Sequence, residues 1–252
     1  MPETLADARL YFAEQEDSIG EYWSRMGGQP SWRGLRVLDL GFGHGRMSVD
    51  IARAGGTVVG VELDPVRVEL AGVILRADHP ELADQVDFRC IDVADLDPEE
   101  PFDAVVSKDT FEHVEDVVGV LEATHRLLVP GGRLYAGFSP LFHSPFGDHE
   151  RTGMRLPWAH SVLPRRIVLA RASRARGADV SSLADLGLNG WTGDQFLDAF
   201  ARSPFTIESL HINAGDRRGM KLLDVLRTVP LLRRWTTVSI YVVLVADEGP
   251  AT

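Results

Sequence analysis

Apolar positions change their spacing several times along this chain, and each change marks a boundary. In residues 3–26, Leu5, Ala8, Tyr11, Phe12, Ile19 and Trp23 recur at loosely helical intervals until Gly27-Gly28-Gln29-Pro30 breaks the pattern. Leu35, Val37, Leu38 and Leu40 then form a short apolar run that ends in Gly41-Phe42-Gly43-His44-Gly45, followed by a helical period through Met47, Val49, Ile51 and Ala52. Residues 57–62 are a second β-branched run and 65–77 a further helix. Residues 86–90 alternate like a strand, 104–106 form a short buried strand, and 114–128 are helical. Pro130-Gly131-Gly132 turns the chain into a strand over 133–138. The alternation lapses in residues 141–190, which hold three histidines and one arginine-rich helix at 164–176. A helix at 192–202, a strand at 205–213, a helix at 220–234 broken at Pro230 and a final strand at 237–246 complete the pattern. Whether that last strand runs parallel or antiparallel stays open.

Strands that alternate with helices of this length predict an α/β fold, a doubly wound and mostly parallel sheet with helices on both faces. Uninterrupted apolar strands fit burial from both sides. At 252 residues the chain suits a single domain, 1–252, with an N-terminal helical segment at 1–30 and an insertion at 141–190. No apolar run approaches the roughly 20 residues that span a bilayer. The first residues lack the features of a signal peptide, so a soluble, cytoplasmic protein without a membrane partner is expected.

The net charge of −11 disfavours nucleic acid as a partner. Cys90 is the single cysteine, which excludes an internal disulfide and a cysteine-rich zinc site. It is expected to be buried in the third strand, with no nucleophilic role.

The chemistry concentrates after the first strand. Glycines in the turn let a ligand approach the backbone closely, and the next helix offers free N–H groups to it. Glu62, at the end of the following strand, can accept both hydroxyls of a ribose. The spacing is G-x-G-x-G, not the G-x-G-x-x-G of dinucleotide-binding proteins, and Asp39 precedes it by two. A loop that opens on its own carboxylate suits an ammonium group better than a pyrophosphate.

Here the sequence resembles the class I S-adenosylmethionine-dependent methyltransferases, whose first motif is D/E-x-G-x-G-x-G. Val59-Gly60-Val61-Glu62-Leu63-Asp64-Pro65 is similar to the family's second strand with its ribose-binding acid. Cys90-Ile91-Asp92-Val93-Ala94-Asp95-Leu96 is similar to the stretch whose aspartate meets the adenine. Phe102–Ser107 with Phe111-Glu112-His113-Val114, and Leu128-Val129-Pro130-Gly131-Gly132, resemble the fourth strand and the turn into the fifth. The likeness covers about residues 35–140.

The resemblance implies a seven-stranded Rossmann-like sheet and S-adenosylmethionine as cofactor, with S-adenosylhomocysteine as its product. Asp39, Gly41, Gly43 and Gly45 would hold the methionine end, Glu62 and Leu63 the ribose, Asp92 and Val93 the adenine, with Ser107 nearby. The activity implied is methyl transfer to an oxygen or nitrogen of a small natural-product or metabolite acceptor. The alternatives are carbon methylation and a cofactor-binding partner protein without catalysis. Residues 141–190 would act as a lid over the acceptor, where Tyr11 and Trp158 would contact it. His149, then His160, then His113 are the candidate bases, since a histidine can take a proton at neutral pH. His143, Asp148, His149, Glu150 and His160 match no ligand spacing, so no metal is expected. Residues 141–190 carry seven arginines against four acids, a local excess of basic charge. Neither the role of its arginine-rich helix nor the oligomeric state is legible.

Overall fold

A computed structural model describes residues 4–98, 100–214 and 218–247. The strands are β1 (Arg36–Leu40), β2 (Thr57–Glu62), β3 (Val86–Cys90), β4 (Phe102–Lys108), β5 (Leu128–Phe138), β6 (Phe205–Ile212) and β7 (Ile240–Ala246). The helices are α1 (Leu5–Met26), α2 (Arg46–Arg53), α3 (Pro65–Asp78), α4 (Val117–Leu127), α5 (Ala159–Val162), α6 (Arg165–Arg176), α7 (Gly193–Arg202), α8 (Arg218–Arg227) and α9 (Arg233–Thr236).

Side chains alternate across each strand, so neighbouring residues feed opposite cores. Val37, Val58, Ala104 and Val106 face α1–α3 and pack with Trp23, Trp32, Ile51 and Ile74. Leu38, Val59, Val61 and Val105 face the other way, towards Leu121 of α4 and Phe196 and Phe200 of α7. Helix ends follow local chemistry. Thr4 and Asp7 form a capping box at the start of α1, and Gly27 closes it with φ +93°. Asp64 caps α3 ahead of Pro65.

The seven strands lie in the order β3-β2-β1-β4-β5-β7-β6. β1 to β5 are mutually parallel where they pair, and β7 runs antiparallel to both β5 and β6. That settles the direction of the last strand. The strand order reverses between β1 and β4, the switch point where open α/β sheets bind ligands beyond their carboxyl ends.

Three expectations shift. The helix expected from residue 114 begins at Val117, because the Asp116 carboxylate caps it through the Gly119 N–H. Residues 110–115 are thereby freed to form a turn. Cys90 is exposed: β3 is the edge strand, and the thiol at its carboxyl end faces Leu63 O at 3.7 Å. The strand expected to reach Asn213 stops at Ile212, as Asn213 takes φ +54° and its side chain bonds Thr236 O and Val238 N. Among the described residues no helix is long and apolar enough to cross a membrane.

Candidate functional site

Two cavities open at the carboxyl ends of β1, β2 and β4, and share Gly41, Arg67 and Asp109 as walls. The narrower, about 100 Å³, lies over the glycine loop between Asp39, Gly43, His44, Lys108 and, from α1, Tyr11 and Gln15. The wider, about 700 Å³, runs past Glu62, Leu63, Asp92, Val93, Thr110 and His113 to Arg151 and Gly187.

The glycine loop takes this shape because its backbone is left-handed. Gly43 has φ +58°, and a Cβ built on it would meet no protein atom within 4 Å. The space above this residue is open. Its N–H donates to Glu62 Oε2 at 3.2 Å, which ties the loop to the end of β2. The other oxygen of Glu62 accepts the N–H groups of Leu63 (2.8 Å) and Asp64 (3.2 Å). Asp92 uses one oxygen to accept the Ala94 N–H and stands exposed at the cavity wall. Asp39 is 3% exposed and accepts the Ser48 hydroxyl at 2.6 Å. Burial pushes its carboxyl up to about 7; the Ser48 bond opposes that rise and the nearby Glu62 charge adds to it.

Not every expected cofactor residue lines the cleft. Gly45 has φ +83° and opens α2; a Cβ there would collide with the Phe88 ring, so packing demands this glycine. Ser107 is fully buried below the floor, and its hydroxyl donates to Leu40 O at 3.3 Å. Lys108, Asp109 and Thr110, which follow it directly, are the residues of that segment that face the cavities. Asp103, in contrast, is a framework residue whose carboxylate accepts the Arg36 N–H at 2.8 Å.

The candidate bases separate into two groups. His113 lines the wider cavity, and the ring of His149, which does not itself line it, lies 5.2 Å away, centroid to centroid. The Nδ1–H of His113 donates to Gly187 O at 2.6 Å, and the Nε2–H of His149 to Pro140 O at 3.0 Å. Each ring therefore keeps its lone pair on the other nitrogen. Burial pushes His113 down to about 4, helped by the Arg151 guanidinium, and lowers His149 as well.

His160 lies elsewhere. It is 4% exposed, donates to Phe142 O at 2.5 Å, and rests beside Asp148 (3.7 Å) on a separate cavity of about 460 Å³. Trp158 turns away too: its indole N–H donates to Trp235 O at 2.8 Å, and it lines neither cleft cavity. Tyr11 does line the narrow cavity, with its ring 5.0 Å from that of His44.

Residues 141–190 border the wider cavity through Arg151 and Gly187. They carry a small core of their own, Phe142, Ala172, Val180, Leu186 and Leu188. Hydrogen bonds tie them to the rest of the fold: Asn189 donates to Phe111 O (2.8 Å) and Val114 O (2.9 Å), Trp158 to Trp235 O, and Leu141 N to Val238 O. Arg151 braces the segment internally through Leu186 O (2.6 Å) and Gly187 O (2.9 Å). Glu112 escaped the sequence reading. It is 3% exposed, beside His113, and neither carboxylate oxygen has a hydrogen-bond partner among the described residues.

Comparison with known proteins agrees with this geometry. A family model described as a methyltransferase domain matches residues 38–136. The ubiquinone biosynthesis O-methyltransferase of Bradyrhizobium diazoefficiens is 41% identical over 99 residues, covering 39% of this chain and 38% of that protein. The chain thus matches about two fifths of the length of such curated relatives. An S-adenosylmethionine-dependent methyltransferase from Mesorhizobium loti superposes with TM-score 0.56 at 20% identity, over 92% of this chain and 97% of that one. The magnesium protoporphyrin IX methyltransferase of Synechocystis, solved with S-adenosylmethionine bound, gives TM-score 0.52 at 16% identity, over 98% and 86% of the two chains. Glycine loop, acidic strand ends and sheet order agree with these likenesses: residues 38–136 match a methyltransferase domain, and the fold is that of solved S-adenosylmethionine-dependent methyltransferases.

Proposed function

We propose that this protein transfers the methyl group of S-adenosylmethionine to an oxygen or nitrogen of a small-molecule acceptor. The observation that carries the proposal is the row of three carboxylates, Asp39, Glu62 and Asp92, along two connected cavities at the switch point. Their order suits a ligand with an ammonium at one end, a ribose in the middle and an adenine amino group at the other. The open space over Gly43 admits the ligand to the backbone. When bound, S-adenosylmethionine supplies a methyl group made electrophilic by its sulfonium. The residues of this chain then have to bind, align the acceptor and exclude water.

Oxygen is the favoured acceptor atom, because the curated relatives that match the segment are named O-methyltransferases. A hydroxyl must lose its proton, and the imidazoles nearest the wider cavity are His113, which lines it, and His149, packed against His113. Both hold a neutral ring with a lone pair at neutral pH, consistent with proton removal or with ligation. His160, enclosed by Phe142 and Asp148, is left with a framework role. The test is incubation with S-adenosylmethionine and a panel of hydroxylated and aminated small molecules, read by mass spectrometry. Products heavier by one methylene on oxygen or nitrogen support the reading. Carbon-methylated products would move it to the first alternative. Tight S-adenosylhomocysteine binding with no product from any acceptor would favour a non-catalytic binding protein.

Asp39 gives this reading a pH signature. An ammonium group binds against its ionised form, whereas the free protein holds the carboxyl at about 7. Binding below pH 7 must therefore release a proton. The affinity for S-adenosylhomocysteine should fall as pH drops through 7, by up to about tenfold per unit. Calorimetry near pH 6 in buffers of different ionisation enthalpy should detect the released proton, and Asp39→Asn should abolish both the release and the slope. A flat profile in the wild-type protein would detach Asp39 from the ligand.

The segment 141–190 is proposed to act as a lid over the acceptor. Beyond Leu141, which packs into the main core, it holds a small core of its own and is tied down by hydrogen bonds to backbone carbonyls such as Phe111 O and Val114 O. Such contacts open at low cost relative to a central strand. Hydrogen exchange in 141–190 should be fast in the free protein and slow when S-adenosylhomocysteine and an acceptor are both present. Protection equal to that of β1 in the free protein would make the segment a fixed wall.

A further inference from the structure

We infer that Glu112, His113 and His149 form a binding site for one divalent cation of the zinc class, facing the acceptor cavity. One ligand atom from each of the three lies within 4.8 Å of the others. The decisive observation is Glu112. Its carboxylate is buried, and among the described residues neither oxygen has a hydrogen-bond partner. A buried polar group left in that state is costly, and protonation does not cure it, since the O–H would also be unpaired. A cation shared with two imidazoles would satisfy both oxygens.

The histidines are prepared for that role. Each donates its one N–H to a backbone carbonyl, Gly187 O for His113 and Pro140 O for His149. This is the outer arrangement that fixes tautomer and ring direction for metal-ligating histidines. Two imidazoles and a carboxylate suit zinc or a similar transition ion and leave further positions open. Asp109 lies near Glu112 with its carboxylate paired to Lys108 at 2.6 Å. The Arg151 guanidinium is directed to the carbonyls of Leu186 and Gly187 and lies 3.5 Å from His113 Nδ1. Asp109 and His149, both with φ +51°, hold the left-handed backbone that non-glycine residues rarely adopt, so the surrounding fold imposes their direction.

The role inferred for the ion rests on the methyltransferase reading above. His113 lines the wide cavity, so a cation held there could take the hydroxyl oxygen of an acceptor and lower its pKa. The O–H proton would pass to solvent. The oxygen's electron pair would then form the bond to the methyl carbon as the carbon–sulfur bond breaks, leaving its pair on sulfur. A histidine whose lone pair holds the ion takes no proton, so the ion would stand in for the general base.

The experiment uses the full chain after chelator treatment and dialysis, titrated with zinc chloride alone and, separately, with manganese and magnesium chlorides, by calorimetry with elemental analysis. One zinc ion per chain is expected, with a rise in melting temperature on binding. Glu112→Gln, which preserves shape, and His149→Gln should each weaken binding by about 100-fold or more, beyond what loss of an outer-shell partner costs. Binding of S-adenosylhomocysteine, measured on the same samples, should stay within a few-fold. Absence of a bound ion overturns the site, as does zinc binding that both variants leave unchanged. If S-adenosylhomocysteine binds and zinc does not, the cation site falls and the methyltransferase reading stands. If zinc binds and S-adenosylhomocysteine does not, the reverse holds.

Discussion

Gly43→Val should abolish S-adenosylhomocysteine binding in a protein that still folds. The three glycines of the loop differ in what a side chain would meet. At Gly41 a Cβ would strike the Thr110 side chain, and at Gly45 the Phe88 ring, so substitutions there test the fold as much as the ligand. At Gly43 nothing lies within 4 Å. The penalty there is the left-handed backbone, φ +58°, worth about 1–2 kcal/mol for a residue with a Cβ. A domain with a typical margin of about 5–15 kcal/mol survives that cost. The ligand does not, because valine would fill the narrow cavity of about 100 Å³ in which the methionine end is proposed to lie. A loss of at least about 100-fold, or about 2.8 kcal/mol, is expected by calorimetry. Circular dichroism on the same sample should be unchanged, and Gly43→Ala should fall between. Retained affinity in folded Gly43→Val protein would remove the loop from the site. NADH binding as tight as that of S-adenosylhomocysteine would redirect the reading to a dinucleotide enzyme.

What the sequence made legible follows from what periodicity encodes. The strand residues Leu35 to Leu40 and the glycines after them announce a buried strand and a tight, ligand-accepting turn, because both demands act locally. The positions of Asp39, Glu62 and Asp92 on one side of the sheet were legible for the same reason: they lie near the end of β1, at the end of β2 and just after β3, and parallel strands bring their carboxyl ends together. Periodicity does not say which strand lies at an edge, so Cys90 was expected to be buried and is exposed. Nor does it say what a side chain in an irregular segment touches. His149 and His160 look alike in sequence, each among polar and aromatic neighbours. Only the folded path through 141–190 brings His149 to His113 and seals His160 under Phe142. Glu112 carried a faint signal, an acid directly before a histidine in the stretch after the fourth strand. Its meaning depends on burial without a partner, which no spacing encodes.

The same contrast between two histidines supplies the other large effect. His149→Gln should lower turnover by about 10²–10⁴-fold on any acceptor that the wild-type protein methylates, with S-adenosylhomocysteine affinity within a few-fold. The magnitude follows whether the imidazole removes the acceptor's proton or holds an ion that acidifies it, because either way a hydroxyl is left to attack in its neutral form. An amine acceptor with a free lone pair would show a much smaller loss, so the variant also reports the acceptor atom. His160→Gln should behave differently. It breaks a buried bond to Phe142 O and removes the imidazole that lies 3.7 Å from Asp148, whose own hydrogen-bond partner is Thr152. The expected cost is about 1–3 kcal/mol of stability. For a chain of this size that lowers the melting temperature by about 2–12 °C, at 2–4 °C per kcal/mol. Turnover measured well below that temperature should change by only a few-fold, since the ring touches neither cleft cavity. The pair is decisive because the two substitutions are chemically identical and differ only in location. Turnover lost at 160 and kept at 149, at equal melting temperature, would reverse the assignment and move the chemistry to the separate cavity lined by His143 and His160.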